Sequence, residues 1–268
     1  MLVVALVPEP TDRAFVETTY EGVLGEGWDV KAFRNQGDVP DDIAAEAQFI
    51  VAATPQTVDS QLLSRSSGAR LVQVLGHGFD HVNLGHAAVA GIPVANVGSS
   101  GAEAHTVAEM TMLLAGMSSR RLIEGDRRVR EARWGQVAML QEGVLELAGK
   151  TIGLIGFGRI AREVAKRARA FEMRVLYYNP KQDPEAERDL GVEYRDLGPL
   201  LAESDVVSLH TPLTPETERM IDDDALRKMK PTAVLVNTAR AALVDEGALA
   251  DALRDGRIRG YATDVFEP

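Results

Sequence analysis

Two doubly wound α/β lobes, each built on a parallel sheet, are predicted by three features of this 268-residue sequence. Short apolar runs alternate with polar, helix-length stretches from Met1 to Val97, and the alternation resumes at Thr151. Such alternation is the pattern of parallel strands joined by crossover helices. Between the two series lie a Gly98-Ser99-Ser100-Gly101 break and a helical stretch from Ala102 into Arg130. The third feature is a strand, glycine-rich turn, amphipathic helix and second strand in immediate succession from Gly149 to Pro180. The expected division is therefore 1–97 and 98–268, with a ligand cleft between the lobes.

The first lobe's expected strands are Val3–Val7, Trp28–Phe33, Phe49–Ala53, Leu71–Leu75 and Ile92–Val97. All are rich in β-branched or aromatic residues. In the second lobe the corresponding runs are Thr151–Ile155, Val175–Tyr178, Val206–Leu209, Val234–Asn237 and Tyr261–Val265. MLVVALVPEP at the start reads as a strand and a turn rather than a secretory leader, because no basic segment precedes it. No apolar run approaches the ~20 residues of a membrane span. A net charge of −11 argues against nucleic acid, and zero cysteines remove disulfides, thiolate nucleophiles and zinc–cysteine sites. The expectation is a cytoplasmic protein without nucleic-acid or membrane partners.

Gly156-Phe157-Gly158-Arg159-Ile160-Ala161 fits G-x-G-x-x-G/A. The first glycine permits the tight turn and the second admits a pyrophosphate close to the backbone. The small third residue lets helix pack on strand, and the helix N-terminus faces the phosphates. The second strand ends at Asn179, about 20 residues on, where the layout places the ribose contact. The other reading of such a glycine pattern is an ordinary tight turn. In the second informative block, AVLVN delivers Thr238-Ala239-Arg240 to the end of a buried strand. An arginine there can clamp a carboxylate with its planar fork or pair with a nearby surface acid; position leaves both open.

Together these motifs resemble the D-2-hydroxyacid dehydrogenase family of NAD-dependent oxidoreductases. The resemblance spans nearly the whole chain, through VQVLGHGFDHVNL, VAEMTMLL, GKTIGLIGFGRIA, SDVVSLHTPLTPET and VNTAR…LVDEGAL…ATDVFEP. It implies a flavodoxin-like substrate lobe and a Rossmann cofactor lobe that exchange a hydride between nicotinamide and C2 of a small 2-oxo or D-2-hydroxy acid. On that resemblance Arg240 holds the substrate carboxylate and polarises the reacting carbonyl, and Gly76, His77 and Gly78 form the substrate loop. Gly156, Gly158, Arg159 and Ile160 meet the pyrophosphate, Asn179 the adenosine ribose, and Thr211 with Pro212 line the cofactor. Thr238 and Asp264 lie on the nicotinamide side. A homodimer through the helical stretch before Trp134 is also implied. Other members of the fold act as NAD(H)-sensing corepressors or on formate or phosphite, which are the alternative readings.

Three departures stand out. Asn179 occupies a position where NAD-specific relatives usually carry aspartate; losing that charge admits NADP beside NAD, with Lys181 two residues on. Ala241-Ala242 follows the arginine where Gly-Gly is commoner. No histidine follows Arg240, whereas the family's proton donor and its glutamate partner do; by register the glutamate falls one residue beyond Pro268, and Glu267 is two positions early. A chain continuing past Pro268 is the expectation. His77, His81 and His86 are not read as a metal site. His77 is placed either to touch an anionic substrate group or to serve structure alone, and His105 reads as a helix-start residue.

Overall fold

A computed structural model describes residues 1–53, 55–98 and 100–266. Ser99 of the 98–101 break and the two final positions, Glu267 among them, lie outside the described residues. The chain forms two compact units, Met1–Glu103 and Ala104–Pro268. No helix among the described residues is long and apolar enough to cross a membrane.

Among the described residues the first unit carries five parallel strands. They are β1 (Leu2–Leu6), β2 (Asp29–Phe33), β3 (Phe49–Ala52), β4 (Leu71–Val74) and β5 (Val94–Ala95), in the order β2-β1-β3-β4-β5. The period-2 alternation of strand side chains explains both faces of this sheet. Val4, Leu6, Ile50, Val72 and Val74 enter one core, while Val3, Ala5, Val30 and Ala32 enter the other. Helices cover each face, as the near-continuous apolar strands require.

The second unit has six parallel strands among the described residues: β6 (Thr151–Ile155), β7 (Arg174–Tyr178), β8 (Glu193–Tyr194), β9 (Val206–Leu209), β10 (Val234–Asn237) and β11 (Gly260–Thr263). Their order, β11-β10-β9-β6-β7-β8, is the doubly wound dinucleotide-binding topology with its switch point between β6 and β9. Ile152, Leu154, Val175 and Val206 pack to one side, and Ile155, Leu176, Val207 and Leu209 to the other. Gly153 lets the helix Leu197–Glu203 lie close: a Cβ there would sit 2.3 Å from Ser204 Oγ and 2.5 Å from Leu200 Cδ2.

Three elements differ from the sequence-based expectation. The stretch expected as one helix to Arg130 breaks at Arg121, whose φ of 54° is left-handed. Two helices result, Ala102–Arg120 and Leu122–Arg130. The IPVANV run yields only a two-residue strand, because Pro93 has no N–H for the ladder and offers just its carbonyl to Val72 N at 2.9 Å. The short edge strand β8 was not expected; it is tied down by Arg174 and Arg195, which both bond Glu193.

Candidate active site

Parallel strands place the loops that follow them along one edge, and in the second unit that edge gathers nearly all the second-lobe candidates. Gly156 follows β6 directly, at φ 88°. A Cβ on it would meet the backbone beyond β9, 2.6 Å from His210 O and 2.8 Å from Thr211 N. Only glycine fits, so the chain leaving β6 and the chain leaving β9 touch at the switch point. Gly158 then caps the helix Arg159–Ala170 with extended backbone and no side chain, presenting the helix N-terminus outward. Ala161, Ala165 and Ala168 face the sheet, fully buried, and their small size brings this helix close. Arg159 is exposed and Ile160 half-buried at its first turn. A glycine-only cradle over a helix N-terminus suits a pyrophosphate, which needs backbone N–H groups and close approach.

Asn179 follows β7 beside that turn. Its Oδ1 accepts from Phe157 N at 3.4 Å, and its Nδ2 donates to the Lys181 carbonyl at 3.3 Å. Phe157 is buried against Tyr177, with centroids 4.3 Å apart, and the Arg162 guanidinium lies over its ring at 5.3 Å. Arg162 is itself ion-paired to Asp183. This aromatic support carries no sequence signal, since only the folded turn brings Phe157 against Tyr177 of β7.

After β9, His210 N bonds Ile155 O at 2.7 Å and the ring Nε2 lies 2.9 Å from Ser208 Oγ. Although its surface is not wholly covered, desolvation pushes His210 down to about 4, so the ring is neutral near pH 7. Thr211 is half-buried and Pro212 exposed. Thr217 Oγ1 donates to the Pro212 carbonyl at 2.7 Å and fixes this loop.

The turn after β10 is organised by Asn237, which is fully buried. Its Nδ2 donates to the Arg240 carbonyl at 2.7 Å and its Oδ1 accepts from Ala239 N at 3.0 Å. One side chain thus satisfies one N–H and one carbonyl of the Thr238-Ala239-Arg240 turn. An Asx turn at a strand end is the sequence signal that could have marked this bracing role. Thr238 Oγ1 lies 2.9 Å from Thr111 Oγ1, and Thr111 gives its own proton to Val107 O at 2.9 Å. Thr238 is therefore the donor, and its oxygen keeps its accepting lone pairs. Thr111, 127 positions away in the chain, carried no such signal.

Arg240 is half-buried and extended, with one guanidinium nitrogen donating to Ala239 O at 2.7 Å. Asp264 follows β11; partial desolvation raises its carboxyl even though the residue keeps an exposed face.

In the first unit, Gly76, His77 and Gly78 follow β4 at its carboxyl end. The His77 ring bonds the Glu103 carboxylate, Nδ1 to Oε1 at 3.0 Å. His105 lies near the start of the helix Ala102–Arg120, 3.2 Å from Glu163 Oε2.

The sequence profile described as D-isomer specific 2-hydroxyacid dehydrogenase, NAD binding domain, matches residues 110–268, more than half of the chain. The chain belongs to this family. It is an NAD-dependent D-2-hydroxyacid oxidoreductase with two Rossmann-like parallel-sheet lobes. A glyoxylate reductase of Aeropyrum pernix is 42% identical over 229 residues, which are 84% of this chain and 68% of that protein. One from Thermococcus kodakarensis is 39% identical over 263 residues, 95% of this chain and 78% of that one. Among solved structures, D-lactate dehydrogenase from Aquifex aeolicus, complexed with NAD and lactic acid, is similar with a TM-score of 0.88. It is 31% identical, and the match covers 100% of this chain and 77% of that one.

Proposed function

We propose that this dehydrogenase reduces small 2-oxo acids with NADH, glyoxylate among them, and that Arg240 anchors their carboxylate. The observation that carries the reading is the Asn237 brace, which fixes the turn bearing Arg240 at the carboxyl end of β10. Similarity to glyoxylate reductases supports the substrate class. The guanidinium fork fits a carboxylate and also donates to the adjacent carbonyl oxygen, where negative charge develops during reduction. NAD(H), when bound, supplies or takes up the hydride exchanged at substrate C2. Gly156, Gly158, Arg159 and Ile160 hold its pyrophosphate in this proposal, and Asn179 its adenosine ribose. Thr211 and Pro212 line it, while Thr238 and Asp264 orient the nicotinamide. Gly76, His77 and Gly78 contribute the substrate loop. The active form is a homodimer, supported by the exposed apolar residues Leu113, Leu122, Ile123, Val129 and Trp134.

The test is oxidation of NADH and NADPH by the purified protein with glyoxylate, pyruvate or hydroxypyruvate, against controls without any 2-oxo acid. Turnover of glyoxylate is expected. Arg240→Ala should lower kcat/KM by roughly 10²- to 10³-fold, the range for a lost charge-stabilising donor, with NADH affinity nearly unchanged. Retained activity would place the carboxylate anchor elsewhere. Cofactor binding without turnover of any acid would favour an NAD(H)-sensing role.

A further inference from the structure

The loops following β4 and β5 are tied to each other within the first unit. Asn96 Nδ2 donates to the His77 carbonyl at 2.6 Å, and Val97 N to Gly76 O at 3.3 Å. Gly98 packs against the imidazole: a Cβ there would lie 2.8 Å from His77 Nδ1. On the same side Glu103 Oε1 sits 3.0 Å from Nδ1. An ionised carboxylate only accepts, so Nδ1 carries the proton and Nε2 is the accepting nitrogen of the neutral ring. The His77 side chain is 55% exposed and that of Glu103 21%. Glu103 is the anchored member of the pair, and the ring is the presented one. Both lie beyond the carboxyl ends of β4 and β5, the edge at which open α/β sheets take ligands.

Charge decides what such a ring can hold. With imidazole neutral the pair carries one negative charge; with imidazole protonated it carries none. With the ring neutral the Nε2 lone pair repels an anionic oxygen, and with the ring protonated Glu103 at 3.0 Å from Nδ1 offsets part of its charge, so a second carboxylate or a phosphate is held there only weakly. A hydroxyl, by contrast, can donate to Nε2 without any charge cost. We propose that His77, positioned by Glu103, is a specificity-determining residue that accepts a hydrogen bond from a hydroxyl on C3 of the 2-oxo acid. It selects 3-hydroxy-2-oxo acids over those with an unsubstituted or phosphorylated C3. This rests on the 2-oxo acid reductase reading above, and it replaces the expectation that His77 touches an anionic group.

Steady-state kinetics with NADH and three acids test it: hydroxypyruvate, pyruvate and phosphohydroxypyruvate. The unaltered protein should favour hydroxypyruvate. His77→Leu should lower the hydroxypyruvate-to-pyruvate ratio of kcat/KM about 3- to 10-fold, the worth of one neutral hydrogen bond, chiefly through KM. Glu103→Ala, which frees the ring, should lower the same ratio less. His77→Gln, which keeps an accepting oxygen at similar reach, should retain part of the preference. An unchanged ratio in His77→Leu would overturn the proposal, as would a selective loss for phosphohydroxypyruvate or an equal loss for all acids in both His77 variants. Failure of the unaltered protein to reduce any of the acids would instead defeat the broader reading on which it rests.

Discussion

Asn179 and His210 show how single side chains set limits on this site. At the end of β7, a carboxylate would accept from both ribose hydroxyls and repel a 2′-phosphate; the carboxamide of Asn179 carries no charge and is turned toward Phe157 N and the Lys181 carbonyl. Asn179→Asp should therefore raise the ratio of NADP to NAD dissociation constants, read by quenching of protein fluorescence. An unchanged ratio would remove this residue from the specificity argument. His210 makes a prediction about pH. Burial holds it at about 4 in the folded protein, below the ~6.5 of an unperturbed imidazole. Between those values the unfolded chain takes up a proton that the folded one refuses. Its stabilisation is thus complete above the unfolded value and is lost as pH falls toward the folded one. The His210 ring resonances should stay constant from pH 8 down to pH 5, and a titration near 6.5 would contradict the buried, neutral assignment.

At the scale of elements, the turn after β10 depends on one buried amide. Asn237→Ala leaves the Ala239 N–H and the Arg240 carbonyl without that partner, at a cost of about 1–3 kcal/mol for an unsatisfied buried group. Urea denaturation should show this loss, and kcat/KM should fall more than NADH affinity because the displaced groups bear Arg240. Equal falls in both would mean that the turn serves the whole unit rather than the substrate side. Strands were the most legible elements. VVSL and VLVN, buried at every position of β9 and β10, read as strands from composition alone. The break at Arg121 was not legible, because nothing in Ser-Arg-Arg-Leu announces a left-handed residue and arginine tolerates one only when its surroundings impose it. β8 was hidden for another reason: a two-residue strand has no periodicity to detect. The fingerprint glycines were readable, but their contact was not. That Gly156 abuts His210 and Thr211 depends on strand order, and strand order is a tertiary fact.

The proposed homodimer and the order of synthesis belong to the scale of the whole molecule. Trp134 is 87% exposed, Val129 74% and Ile123 71%; large apolar side chains left this open are what a second copy would cover in the proposed dimer. Light scattering should give twice the chain mass for the unaltered protein and the single-chain mass for Ile123→Asp combined with Val129→Asp. An unchanged mass would place the dimer contact on another face. The two units also keep separate cores: residues between Val3 and Ile92 form the clusters of the first, and those from Ala108 to Ile258 the clusters of the second. Synthesis runs from the N-terminus, so all five strands of the first sheet leave the ribosome before β6 is made. Among the described residues the five strands of that sheet pair with one another, so it can close while translation continues, as domains generally do. The second sheet has no such freedom. Its central pair, β6 and β9, is separated by β7 and β8 in the chain, so the nucleotide crevice can form only after a long stretch of nascent chain has emerged.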